Sequence, residues 1–115
     1  MVKIKRVYDP LSSEDGIRIL IDRLWPRGIK KEEAKIDEWM KEIAPTTDLR
    51  KWFSHDPAKW PEFRKRYITE LKNKSELFER LRSEAKKGTI TLLFAAKDAE
   101  HSNAVILKEV IEKGK

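Results

Sequence analysis

The sequence predicts a single small α/β domain with a mainly parallel sheet of three or four strands, helices on both faces and a long helical crossover before the last strand. Two apolar runs, 17–21 and 90–96, have the β-branched and aliphatic composition of buried strands. The later run is apolar on both faces after Thr91, which is typical of a central strand. Residues 30–87 show helical periodicity and therefore predict a crossover between parallel neighbours.

The composition predicts a folded cytoplasmic protein with one domain, residues 1–115. Hydrophobic residues make up 39% of the chain, enough for one modest core and too many for a disordered chain. The absence of cysteine excludes disulfides and thiolate chemistry, and the N-terminus lacks the layout of a signal peptide. No apolar run approaches the roughly 18 residues of a membrane span, so we expect no membrane association. Charged residues make up 40% of the chain, and their richness in Lys and Glu is typical of heat-adapted proteins.

The N-terminal segment predicts an edge strand. Residues 2–8 alternate apolar and charged side chains, the pattern of a strand with one face in water. Residues 9–16 are rich in turn formers and lead into the strand at 17–21. Because this connector is short for a parallel crossover, the direction of the first strand stays open, either antiparallel or parallel to the others.

Several helices are predicted between the second and third strands. Residues 36–43 place apolar side chains at helical spacing, and a proline then ends that helix before Thr46 or Thr47 caps the next. Pro57 is expected to open a longer helix, and Ser75 to cap a further one.

The last predicted helix follows the central strand and ends near Gly114. Either Asp98 or Ser102 is expected to cap its N-terminus. Because a helix N-terminus carries unpaired N–H groups and a partial positive charge, it adds to the attraction of anions at this edge of the sheet.

Charged side chains follow both apolar strands directly. Asp22 and Arg23 follow the first, with Arg27 after a Trp-Pro kink, and Lys97 and Asp98 follow the second. The carboxyl ends of parallel strands meet at one edge of a sheet, where open α/β sheets bind ligands, so these groups are expected to converge. Arg23, Arg27 and Lys97 are predicted to hold an anionic small molecule such as a nucleotide or sugar phosphate.

The remaining candidates are groups that transfer protons or orient a ligand. Asp22 or Asp98 is predicted to act as base or nucleophile, and His101 with His55 to transfer protons. Asn103, two residues after His101, is predicted to orient the ligand. These roles correspond to a hydrolase or a transferase, and the same residues also suit a domain that only binds or senses its ligand. No cofactor is predicted.

Each candidate also has a structural interpretation. Asp22 and Arg23 can form an ion pair that closes the strand end, and Asp98 can serve only as a helix cap. His55 stands directly before an Asp-Pro pair that is typical of a helix start. The histidines and aspartates match no metal-binding spacing, so no metal site is predicted.

An alternative function uses the basic helical face, residues 57–88. This stretch holds ten Lys or Arg against five Glu, enough positive charge for weak, sequence-indifferent binding to nucleic acid. Its aromatic residues fall on one side of a helix and its basic residues largely on the other, the ordinary amphipathic pattern. The alternative is therefore a non-catalytic module that binds nucleic acid or a protein of unknown type.

Three motifs resemble the YeaO-like proteins, a subgroup of a broad prokaryotic domain family of unknown function. They are IDRLWPRG at 21–28, LRKWFSHDP at 49–57 and AAKDAEHSNAV at 95–105. The resemblance spans nearly the whole chain and implies no established activity. In the broader family the segment at 101–104 often resembles His-Cys-His-Arg. This chain has Ser102, Asn103 and Ala104 there, without the thiol, the second imidazole or the guanidinium.

Overall fold

The computed structural model describes residues 1–113 and contains a four-stranded sheet whose neighbouring strands are all parallel. In chain order the strands are β1 (Val2–Arg6), β2 (Ile17–Leu20), β3 (Glu38–Trp39) and β4 (Ile90–Phe94), and their spatial order is β1-β4-β2-β3. This order confirms β4 as a central strand parallel to β2, and β1 as an edge strand. The antiparallel option for β1 is wrong, because β1 and β2 lie on opposite sides of β4 and both run parallel to it.

Five helices cover the sheet unequally. They are α1 (Lys31–Ala34), α2 (Thr47–Phe53), α3 (Trp60–Lys72), α4 (Ser75–Lys87) and α5 (Asn103–Glu112). The last four bury side chains in the main core, whereas the single turn of α1 lies on the other face, where the Arg18 guanidinium reaches the Ala34 carbonyl. Helices on both faces are therefore confirmed, although one face has only a single turn and loop. None of the helices within residues 1–113 is long and apolar enough to cross a membrane.

Side-chain alternation along the central strands divides the core in two. Ile19 and Leu92 belong to the main cluster under the helices, whereas Leu20 and Leu93 belong to a smaller cluster on the opposite face. Trp39 packs against the smaller cluster. Both faces of β2 and β4 are thus buried, which explains why these strands are apolar throughout.

The helix predicted for residues 36–43 is wrong. The segment instead forms the two-residue strand β3 and a 3-10 turn, Lys41–Ile43. Its apolar side chains serve both clusters, since Ile36 and Trp39 pack on the smaller one while Met40 and Ile43 enter the main core. An apolar segment that threads from one face of a sheet to the other imitates helical spacing over a few residues.

The predicted helix starts are confirmed in part. Thr46, not Thr47, caps α2, because its hydroxyl accepts from the Leu49 N–H at 3.3 Å. Pro57 opens a 3-10 turn, Pro57–Lys59, that leads into α3. Ser75 is the first residue of α4 rather than its cap. The α5 helix ends at Glu112, and the predicted end near Gly114 lies outside the described residues.

Candidate functional site

A cavity of about 650 Å³ opens at the carboxyl edge of the sheet, beyond the ends of β2 and β4. The loop after β2, the loop after β4 and the segment around α2 supply most of its walls. This is the edge at which open parallel sheets bind ligands. The lining residues are Tyr8, Asp22, Arg23, Leu24, Trp25, Pro26, Arg27, Ala44, Pro45, Arg50, Phe53, His55, Phe63, Ala95, Ala96, Lys97, Asp98, His101, Ser102 and Asn103.

All eight side chains predicted as site residues line this cavity. They are Asp22, Arg23, Arg27, His55, Lys97, Asp98, His101 and Asn103. The parallel pairing of β2 with β4 brings the two strand-end groups together, and His55 reaches the cavity from the crossover, just beyond α2. The roles given to these residues stay predictions, although their convergence is a property of the fold.

Asp22 is partly buried and bonded to the backbone of the neighbouring strand end. Its Oδ2 accepts from the Ala95 N–H at 2.8 Å, so the carboxylate extends the β2–β4 ladder by a side chain. Burial raises the pKa of the Asp22 carboxyl, and the hydrogen bonds from Ala95 and Asn103, with the positive charge of Arg50, offset only part of that rise. No ion pair joins Asp22 to its neighbour Arg23, so that structural interpretation of the strand end is wrong.

Most hydrogen-bond donors of the Arg23 guanidinium are already bonded to other groups of the protein. Its Nε donates to the Pro45 carbonyl at 3.1 Å, and a terminal nitrogen donates to the Ala44 carbonyl at 3.0 Å. The other terminal nitrogen lies 3.4 Å from Glu42 Oε1. Arg23 therefore fixes the segment before α2 against the end of β2, and it contributes positive charge to the cavity mainly at a distance.

Three other cations line the cavity without a carboxylate of their own. The described ion pairs of lining residues are Arg23 with Glu42 and His101 with Asp98. Within residues 1–113, Arg27, Arg50 and Lys97 have no carboxylate oxygen within 4.0 Å. All three side chains are on exposed residues, so a ligand can reach them from solvent.

Asp98 and His101 form a hydrogen-bonded pair on one short turn. Asp98 Oδ1 accepts from the backbone N–H of Glu100 and of His101, which caps the 3-10 turn Ala99–His101. Its Oδ2 lies 2.7 Å from His101 Nδ1, and this hydrogen bond, helped by the backbone N–H groups, lowers the pKa of the Asp98 carboxyl. The other ring nitrogen, Nε2, is thereby left for a ligand or solvent. Asp98 thus caps the turn before α5, whereas Ser102 at the helix start makes no side-chain cap bond.

His55 sits in a strained stretch of backbone. Ser54 and His55 have φ values of +46° and +57°, a conformation that non-glycine residues rarely adopt. The imidazole makes a tilted ring contact with Phe53, 6.3 Å between centroids. Two such residues in succession cost free energy, and strain of this kind concentrates at functional sites.

Asn103 anchors the base of the cavity. Its Nδ2 donates to the Ile21 carbonyl at 2.9 Å, which ties the first residue of α5 to the end of β2. The nearby Asn103 amide also acts to lower the pKa of the Asp22 carboxyl. Beneath it, the buried Tyr67 hydroxyl donates to the Ile43 carbonyl at 2.7 Å. This arrangement makes Asn103 a positioning residue for Asp22.

Sequence reasoning missed Arg50, Tyr8, Leu24 and Ser102 as parts of the cavity wall. Arg50 lies on the solvent side of α2 and resembled an ordinary helix-surface cation, although it belongs to one of the three family-like motifs. Ser102, at the position where the broader family often has a thiol, is buried, and its hydroxyl donates to the Ala99 carbonyl at 3.3 Å. These residues are far apart in the sequence, and only the folded arrangement of the loops at this edge of the sheet brings them together.

The arrangement is chemically suited to anions. In the described part of the chain, no three side chains of metal-binding type converge on one point, so the absence of a metal site stays a prediction. The Asp98–His101 pair could move a proton. The hydroxyls of Ser102 and Tyr8 each donate to a backbone carbonyl, and the Lys97 amine is the remaining hydroxyl or amine side chain of the described lining.

Comparisons with known proteins support the resemblance predicted from the three motifs. A family model described as the inactive DUF488-N3 subclade matches residues 1–114. The uncharacterized protein YeaO of Escherichia coli strain K12 is 46% identical over 108 residues, covering 94% of each chain. An uncharacterized protein of Mycobacterium tuberculosis strain H37Rv is 36% identical over 110 residues, 96% of this chain and 92% of that protein. No solved structure matches the chain.

Proposed function

The chain belongs to the inactive DUF488-N3 subclade, and from that premise we propose that its cavity binds an anionic small molecule without converting it. The subclade's description favours binding over turnover. The cavity supplies positive charge and the Asp98–His101 pair, whereas its two hydroxyls, on Tyr8 and Ser102, both donate to backbone carbonyls. The hydrolase or transferase alternative therefore has less support than a binding or sensing domain.

The observation that carries this proposal is the group of cations formed by Arg27, Arg50 and Lys97, which have no carboxylate partner within the described chain. Most arginines elsewhere pair with a carboxylate, as Arg66 does with Glu62 and Arg80 with Glu38. Like charges gathered around a cavity repel one another, and an anionic ligand would relieve that repulsion.

The charge balance of the cavity also favours an anion. Its lining holds four basic side chains against two carboxylates, a formal excess of two positive charges when both histidines are neutral. One of those carboxylates, Asp98, is already engaged by His101 and two backbone N–H groups. The other, Asp22, is held at the base by the Ala95 N–H.

No observation specifically favours the alternative on the basic helical face. Arg64 pairs with Glu109 across to α5, and other arginines of α3 and α4 pair with glutamates on the same or a neighbouring element. Phe63 and Tyr67 are buried in the core, so they cannot stack on bases. We expect only weak binding to nucleic acid that disappears near physiological salt.

The proposal predicts that inorganic pyrophosphate raises the melting temperature of the wild type, and that Arg27→Ala removes most of this gain. A ligand at a hundred times its Kd stabilises the folded state by about 2.7 kcal/mol, roughly ten degrees or more in a domain of this size. Differential scanning fluorimetry across a pyrophosphate titration measures the gain. Without ligand, the Arg27→Ala variant should melt close to the wild type, because the side chain is exposed and unpaired.

Arg80→Ala provides the matched control, because it removes an exposed arginine from α4, outside the cavity. It should keep the full pyrophosphate gain. Equal gains in the wild type and in Arg27→Ala would show that the anion binds elsewhere and would contradict the proposal. Loss of the gain in Arg80→Ala but not in Arg27→Ala would favour the basic helical face.

A further inference from the structure

Two large apolar side chains are exposed at the cavity, where they lie beside its unpaired cations. Tyr8 is 43% exposed and Leu24 is 61% exposed, and both line the cavity. A single exposed apolar residue needs no explanation. Two of them beside a concave, positively charged site are the arrangement expected of a surface that contacts an apolar part of a ligand.

Tyr8 and Leu24 form an apolar rim of the cavity, and a hydrogen bond connects this rim to the backbone of Arg27. The Tyr8 hydroxyl donates to the Arg27 carbonyl at 3.0 Å, which ties the residue after β1 to the loop after β2. The Arg6 guanidinium lies over the Tyr8 ring, 5.0 Å from its centroid, and donates to the Ala95 and Ala96 carbonyls at the end of β4. The ring is thus held in place with one face covered by Arg6, and it remains accessible from the cavity side.

The interior of the cavity is also largely apolar. Trp25 and Pro26 follow Leu24 on the same loop, and Phe53 and Phe63 stack on each other at the opposite wall, 4.3 Å between centroids. A bare phosphate would occupy only a small part of about 650 Å³. Cavities of this size and character usually enclose an organic molecule.

We propose that the ligand carries a planar apolar group next to its anionic group, as an aryl phosphate or a nucleoside phosphate does. This inference rests on the proposed anion-binding function and narrows the class of ligand. The anionic group contacts Arg27, Arg50 and Lys97, and the planar group lies against Tyr8 and Leu24. The arrangement excludes bare phosphate and simple sugar phosphates as the best ligands, because neither covers the apolar rim.

Isothermal titration calorimetry on the full-length protein tests this with two matched pairs of probes. The first pair is adenosine 5′-monophosphate and ribose 5-phosphate, and the second is phenyl phosphate and inorganic phosphate. Within each pair the anionic group is alike and only the planar group differs. We expect the planar member of at least one pair to bind roughly tenfold more tightly, the size of effect that one stacked ring gives.

The Leu24→Ala and Tyr8→Ala variants locate the planar group. Each should reduce the preference for the planar member severalfold. Leu24→Ala should leave the affinity for the non-planar member unchanged, whereas Tyr8→Ala also removes the hydrogen bond to the Arg27 carbonyl and is therefore assessed by the ratio within each pair. Leu11→Ala is the matched control, because Leu11 is 51% exposed but does not line the cavity. Circular dichroism of Tyr8→Ala checks that the variant is folded, and Leu24→Ala, at an exposed position, provides the same test if it is not.

The outcomes separate this inference from the proposed function. If planar and non-planar members bind equally through Arg27, the inference is overturned and the anion-binding function stands. A planar preference that survives both Leu24→Ala and Tyr8→Ala would also overturn it, because the apolar rim would then play no part. If neither the four probes nor pyrophosphate bind, the proposed function fails and the inference falls with it.

Discussion

The two ends of β2 carry aspartates in opposite electrostatic situations. Asp15 precedes the strand and is buried, whereas Asp22 follows the strand and is partly buried. The pKa of the Asp15 carboxyl lies below its ordinary value, whereas that of Asp22 lies above it. The two pKa values differ because different groups contact each carboxylate.

At the beginning of the strand, the charges satisfy one another. Asp15 is only 3% exposed and Arg18 only 5% exposed, and they form an ion pair that Lys5 joins from β1 at 3.0 Å. Burial alone would raise the pKa of Asp15, but hydrogen bonds from Lys5, the Ser12 backbone and Arg18, with the charge of Lys5, lower it overall. We call Lys5, Asp15 and Arg18 the buried ionic cluster.

At the other end of the strand, the carboxylate has dipoles rather than cations in contact. Asp22 accepts from the Ala95 N–H, and the nearby Asn103 amide also acts to lower its pKa, while the cations of the cavity stay at a distance. The charges of the buried ionic cluster neutralise one another within the fold. The unpaired cations of the cavity have no such partner among the described residues, so their positions are not explained by an ion pair that stabilises the fold. The comparison therefore supports a structural role for the charges at the first end and is consistent with the ligand binding proposed for the second.

Replacing Asp15 with Asn should have the largest effect on stability. The Asp15→Asn variant leaves the buried Arg18 guanidinium without its counter-charge, and breaking a buried pair in this way costs roughly 3–5 kcal/mol. Urea unfolding at neutral pH measures the change. Glu14→Gln, a neighbouring carboxylate on an exposed side chain 3.9 Å from Lys3, should change stability little. Similar stabilities for Asp15→Asn and the wild type would show that the buried ionic cluster does not stabilise the fold.

The two aspartates should give the stability opposite pH dependences. The lowered pKa of Asp15 means that its stabilisation is present above its unfolded value, near 3.8, and is lost as the pH falls through its folded value. The raised pKa of Asp22 means that ionisation disfavours the folded state, so stability decreases as the pH rises from 3.8 through its folded value.

Urea unfolding between pH 7 and pH 2.5 separates these contributions by comparing each variant with the wild type. The loss of stability in acid should be smaller in Asp15→Asn than in the wild type. In Asp22→Asn, the gain on lowering the pH toward 4 should be absent. Parallel curves for all three proteins would show that neither carboxylate changes its pKa on folding.

The smallest expected effect is a gain of affinity in Asp22→Asn. Removing one negative charge from the base of the cavity should strengthen the binding of pyrophosphate by roughly three- to tenfold, as Coulomb's law gives for a partly solvated site. Isothermal titration calorimetry provides the measurement. Asp48→Asn is the control, since it removes an equal charge from the first turn of α2, outside the cavity. Weaker binding in Asp22→Asn would mean that the carboxylate contacts the ligand directly.

The sequence predicted which side chains would meet at one edge of the sheet better than it predicted their hydrogen-bond partners. Apolar runs ending in charged residues are visible in one dimension, and the parallel pairing of β2 with β4 turns them into one edge. The same pattern could not show that the Arg23 guanidinium is occupied by the Pro45 and Ala44 carbonyls. Those acceptors lie on a segment whose path depends on tertiary packing.

Two other features were not predicted from the sequence, because they too depend on tertiary packing. Residues 36–43 were expected to be helical because their apolar side chains have helical spacing, yet those side chains are shared between two cores on opposite faces of the sheet. Arg50 was not recognised because one exposed arginine on a helix resembles any other until the neighbouring loops are in place. Local periodicity carries no information about which side of a sheet a segment will reach.

The strand order also dictates when the sheet can assemble. β4 supplies the partner of β1 and the long pairing of β2, yet it lies at residues 90–94. Before it joins, the described pairings available are Ile19 with Glu38 and Leu20 with Trp39. A nascent or truncated chain that stops short of residue 90 would therefore leave one edge of its apolar β2 strand unpaired and prone to aggregate. Sheet formation must wait for contacts such as Val2 with Ile90, and such distant contacts make folding slow.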